Sequence, residues 1–131
     1  MAVALQFVGT TEQNNSKGLI FKATFTGDYG TAGVGDLLNL TPSQNNGTDG
    51  GVTDPGFDYD EILEQPPTIY GVLNEALGGS YVNILPNAAP TLKNFGLQMY
   101  EPGGAEKGTG VAYSAPELAG SVLLVFYVPL Q

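Results

Sequence analysis

The sequence has no cysteine, no histidine and no tryptophan, and its four basic residues are all lysines. Without cysteine, disulfides and thiolate metal sites are excluded, and a reducing compartment is tolerated. Without histidine, the side chain that most often moves protons at neutral pH is missing, and the Ser–His triad with it. No serine stands in a G-x-S-x-G elbow, and there is no G-x-x-x-x-G-K-[ST] phosphate loop. Gly33-Val34-Gly35 begins a G-x-G-x-x-G pattern, but Leu38 occupies its last glycine position. An ordinary turn beside a strand is the expectation there. Neither an enzyme nor a cofactor is expected.

Thirteen acidic residues against four lysines give a net charge of −9. That charge opposes nucleic-acid binding, which needs cations to displace counterions from phosphates, and opposes docking on an anionic membrane. The longest apolar run, Val122 to Val128, has seven residues, far short of the ~20 that a membrane-spanning helix requires. The opening MAVALQFVGT has no basic stretch, so a secretory leader is not expected, and the sequons at Asn14, Asn39 and Asn46 carry little weight. At 131 residues the chain is expected to be one domain able to bury a sizeable core without staples.

Nineteen glycines and nine prolines in an otherwise apolar chain point to many short strands joined by turns. The run Ser121 to Leu130 organises them. A strand with one wet face alternates apolar and polar residues, and this one does not. It is therefore a central strand covered on both faces. The core covers one side; a second layer or another copy of the protein covers the other. Leu123, Val125 and Tyr127 are the residues assigned to such an interface.

Residues 1–17 form an N-terminal arm or edge strand in which Val3, Leu5 and Phe7 alternate, and 18–131 a single β-sandwich domain. Leu19, Phe21, Ala23 and Phe25 alternate with more polar neighbours, as in a half-buried strand. Further strands are expected at Val34–Leu40, Thr68–Leu73, Tyr81–Leu85, Phe95–Tyr100 and around Gly110–Ser114. A hairpin is the simplest link between Thr68–Leu73 and Tyr81–Leu85, and Asn74–Leu77 could make a short helical excursion. One helical turn could open at Asp58, with Glu61 three residues on. The fold class that follows is all-β: an antiparallel β-sandwich of seven to eight strands, with the jelly roll as one form it can take.

The long loop from Ser43 to Glu64 gathers acidic residues. Asp58, Asp60, Glu61 and Glu64 could supply a carboxylate pair for glycoside cleavage, but nothing nearby would grip a sugar. Asp49, Asp54, Asp58 and Asp60 suit calcium chemically, yet their spacing departs from the EF-hand loop. Plain solvation is the expectation, with no metal.

The run from Phe25 to Thr41, FTGDYGTAGVGDLLNLT, resembles the Y-x-T-G-G-x-x-L-x-L stretch of small virion proteins of tailed bacteriophages. Matching segments follow at Pro67–Leu73, Ser80–Pro86, Leu97–Tyr100 and Glu117–Gly120. The resemblance spans roughly residues 19 to 128. It implies a capsid decoration (cement) protein: a small β-sandwich, often trimeric, clamped outside the capsid where major capsid subunits meet. No catalytic residues come with it. The partners it implies are the major capsid protein and further copies of the chain, with neither nucleic acid nor membrane. The implied place is the outer surface of the virion, after synthesis in the bacterial cytoplasm. Val3, Leu5 and Phe7 are then the expected capsid contacts. A tail or neck component is the runner-up. The rival from another class is a carbohydrate-binding module stacking sugars on Tyr29, Tyr59, Tyr70 or Tyr81.

Overall fold

The computed structural model describes residues 3–13, 15–42, 50–52, 67, 69–86 and 94–129. Its strands are β1 (Val3–Gln13), β2 (Ser16–Phe25), β3 (Asp36–Pro42), β4 (Gly50–Val52), β5 (Ile69–Ala76), β6 (Tyr81–Pro86), β7 (Asn94–Tyr100) and β8 (Ser121–Pro129). One short helix, α1 (Ala115–Ala119), precedes β8.

The strands form two antiparallel sheets, β5-β8-β2-β1 and β3-β7-β6, stacked as an all-β sandwich. The three-residue β4 joins them by pairing parallel to both β1 and β3. The β1–β2 hairpin turns through Asn15, whose φ of 62° lies in the left-handed region that asparagine tolerates. Its ladder runs from Val3↔Phe25 to Gln13↔Ser16, interrupted by a bulge between Phe7 and Gly9.

Period-two alternation puts Leu19, Phe21, Ala23 and Phe25 of β2 on the inner face, beside Val122, Leu124, Phe126 and Val128 of β8. Opposite them lie Leu38 and Leu40 of β3, Val82 and Ile84 of β6, and Phe95, Leu97 and Met99 of β7. Phe126 bridges the two layers. Its ring meets Phe21 of its own sheet edge-on at 5.8 Å and Phe95 of the facing sheet at 5.1 Å.

Several expectations change. β1, read as an arm or an edge strand, is paired along its length with β2 and touches β4 on its other side. Val3 and Leu5 are buried in the core and Phe7 packs against it. The expected Thr68–Leu73/Tyr81–Leu85 hairpin does not form: β5 pairs with β8 and β6 with β7. Residues 74–76 continue β5 instead of turning helical. Gly110–Ser114 contributes a single bridge, Asp28↔Ala112. β7 is buried on both faces because the turn at 31–35 crosses it; a Cβ on Gly96 would stand 2.0 Å from the Val34 carbonyl oxygen. The helical turn expected at Asp58 lies outside the described residues.

Because Phe126 touches both layers, Phe126→Ala is expected to cost about 3–5 kcal/mol of unfolding free energy. Phe7→Ala, at the margin of the core, is expected to cost less. Urea denaturation of the two variants checks this order.

Candidate interface on the outer sheet face

One end of the sandwich is closed by a buried polar clasp. The loop after β2 and the loop after β7 pair through Tyr29 N–H to the Val111 carbonyl (2.8 Å) and Tyr113 N–H to the Gly27 carbonyl (3.0 Å). Tyr29 donates its hydroxyl to Glu106 at 2.6 Å and accepts the Met99 N–H at 3.2 Å. Both Glu106 oxygens also receive the Gly33 N–H. Tyr113 donates its hydroxyl to Asp36 within the core margin.

Lys107, only 2% exposed, stands at the centre with its Nζ 3.0 Å from both Glu101 and Glu117. Glu117 is itself buried, and its carboxylate also caps α1 through the Ser114 N–H at 2.7 Å. This capping box, with Pro116 at the helix start, lets a five-residue helix hold its shape. Among the described residues no buried side-chain nitrogen or oxygen lacks a partner. The cluster is a fastening, with every group committed inside the chain.

Burial pushes the Tyr29 and Tyr113 hydroxyls well above the usual tyrosine range, and their carboxylate acceptors push the same way. For Lys107, burial works against the charge, but the hydrogen bonds to Glu101 and Glu117 outweigh it and raise the pKa. For Glu117, burial again opposes ionisation, while the bonds from Ser114, Lys107 and Ser80 prevail and lower it.

The second feature is the outer face of the four-stranded sheet. Register places Gln6, Lys22, Leu123 and Asn74 in one row across β1, β2, β8 and β5. The next rows run Ile20, Val125 and Gly71, then Thr11, Gly18, Tyr127 and Ile69. A Cβ on Gly18 would fall 2.8 Å from the Tyr127 ring and 2.7 Å from the Thr11 methyl, so the ring lies across that glycine. Ile69 is 61% exposed; Val8, thrown outward by the β1 bulge, is 55% exposed; Leu73, the extra residue of the β5 bulge, is 50% exposed. In a chain with thirteen acidic residues, none stands in these three rows, and Lys22 is their one charge.

Of the residues assigned to a subunit interface, Leu123 and Tyr127 do lie on this face and are partly exposed. Val125, between them, is already covered at 3% exposure. Val3 and Leu5, assigned to the capsid, point the opposite way into the core, and Phe7 keeps only part of its surface. The parity of β1 decides this: the inner face it shares with Phe21 and Ala23 is the core face. Tyr29, offered as a sugar platform, is buried at 2% exposure, while Tyr70 and Tyr81 remain accessible. Tyr59 and the acidic set Asp49, Asp54, Asp58, Asp60, Glu61 and Glu64 lie outside the described residues. Among the described residues no cluster of metal-ligating side chains occurs, and no helix is long and apolar enough to cross a membrane. Sequence reasoning missed the clasp. Its available signal was a lysine flanked by Glu106 and Glu101 in a turn rich in glycine.

No known protein family, curated protein or solved structure matches this chain.

Removing one partner of a buried ion pair strands the other, so Lys107→Met is expected to cost about 3–5 kcal/mol of stability. The pH response has two limbs. Glu117's contribution is complete above its ordinary value of 4.5 and fades as pH falls below it. Lys107's contribution is complete below 10.5 and fades as pH rises beyond it. Melting temperature against pH checks both, with the alkaline limb reduced in Lys107→Met.

Proposed function

We propose that this chain is a structural, non-enzymatic protein of a bacteriophage virion that decorates and stabilises the capsid exterior by bridging major capsid subunits. The observation that carries the reading is the acid-free, largely apolar outer face of β5, β8 and β2 on a chain of net charge −9. Exposed apolar side chains grouped on one face mark a contact surface, whereas scattered ones do not. The strong negative charge elsewhere discourages unspecific association and leaves this face as the favoured approach. The resemblance to small virion proteins supplies the kind of partner.

On this reading the outer sheet face takes the capsid-contact role that the sequence assigned to Val3, Leu5 and Phe7. Contact there buries apolar area across a seam between subunits, so parting the subunits requires exposing that area again. Many copies around one shell multiply modest single contacts, because each bound copy holds neighbouring sites together.

Placing an acid on the acid-free face tests this directly. Lys22 is exposed, so Lys22→Glu is expected to leave folding and melting temperature nearly unchanged. The number of copies per major capsid subunit in purified particles, measured by quantitative mass spectrometry, is expected to fall at least ~10-fold, as a loss of about 1.4 kcal/mol would give. Unchanged incorporation would remove this face from the account.

A further inference from the structure

The two outermost strands of the sandwich differ in how their free edges are treated. On β6, the Val82 N–H is taken by the Glu75 carboxylate at 2.7 Å, and Pro86 has no N–H to offer. Two of the donors that edge would offer are thereby withdrawn. β5 pairs with β8 on one side, and its other edge carries no ladder among the described residues. From Ile69 to Leu73 it has no lysine, no proline and no charge, so of the usual devices by which edges avoid pairing it carries only the bulge at Leu73. A cleft of about 210 Å³, lined by Tyr70, Gly71 and Val72 on one side and Val82, Asn83 and Ile84 on the other, keeps this edge apart from β6.

We propose that the free edge of β5 pairs antiparallel with β5 of a second copy, across a two-fold axis at Gly71, to make one sheet of eight strands. The occupant follows from charge and parity. A chain of net charge −9 repels its own copy over most of its surface, and an uncharged edge does not. Residues opposed in an antiparallel pair point to the same face, so only residues of equal parity can meet. Centring on Gly71 sets Ile69 opposite the partner subunit's Leu73, and Leu73 opposite the partner subunit's Ile69. Those are the two most exposed large apolar residues of the strand, at 61% and 50%. Centring on Tyr70 leaves Leu73 unmatched. Gly71 itself has open space where a Cβ would stand, so a side chain introduced there meets no described residue of its own chain. The product is a closed dimer in place of the trimer that the virion resemblance implies, and it does not depend on capsid binding.

The absence of cysteine makes a clean test possible. In Gly71→Cys the new thiol meets its mate across the axis, within reach of disulfide geometry after a small shift. Mild oxidation is expected to convert most of that variant to a covalent dimer on a non-reducing gel. Gly9→Cys, equally unobstructed but on β1, is expected to stay single. Leu73→Lys is expected to halve the mass seen by light scattering at the same concentration, with the circular dichroism spectrum unchanged. A single-copy mass for the unaltered chain at high micromolar concentration would overturn the proposal. So would equal cross-linking of both cysteine variants, or an unchanged mass for Leu73→Lys. Particles that carry the protein as single copies would sink this pairing and leave the capsid reading standing; cross-linked dimers absent from particles would do the reverse.

Discussion

The contact of Phe126 with rings from both sheets sets the terms for the rest of the molecule. A strand has two sides, and β8 commits Val122, Leu124, Phe126 and Val128 to the core on one of them. Once that side is fixed, the side carrying Leu123, Val125 and Tyr127 must face outward, because a one-residue slip would exchange the two sets. Register carries the same division across β2, β5 and β1. The outer face is therefore a consequence of the core.

The clasp serves that arrangement from one end. Lys107 between Glu101 and Glu117 ties the loop after β7 to the helix that leads into β8. Tyr29 and Tyr113 tie the same region to the loop after β2 and the start of β3. An ion pair this deep is a weak source of net stability, since desolvation consumes most of the attraction. Its geometry is nonetheless exacting, because an arrangement that kept Lys107 buried without Glu117 would leave a charge unpaired. Of the strands it fastens, β2 and β8 are the two central ones behind the outer face.

Much of the sandwich was legible in the sequence wherever one physical signal acted alone. The alternation in β2 and the unbroken apolar run of β8 each named a strand and its faces. Reading failed where long-range pairing decided. The β5–β6 hairpin was inferred from proximity in sequence, yet β5 joins β8 and β6 joins β7. Gly50–Val52 carries no strand signal, and β4 is defined only by its long-range pairing with β1 and β3. The alternation of Val3, Leu5 and Phe7 was read correctly as a strand face and wrongly as a free one. Nothing in β1 alone says that its apolar side is the core side. The clasp left only the faint signal of Lys107 close to Glu101 and Glu106, since Tyr113 reaches Asp36 and Lys107 reaches Glu117 only after folding. The acid-free outer face could be drawn only once register had sorted the acids.

A surface that is largely apolar, free of acids and carried on a four-stranded sheet is suited to lie against another protein. That is the central claim, and labelling of the face itself addresses it. Hydroxyl-radical footprinting of Leu123 and Tyr127 would compare the isolated protein with the protein in purified virions. Labelling of both residues several-fold lower in the particle is the predicted result. Equal labelling in the two states would show the face open to water in the assembled shell, and would contradict the account.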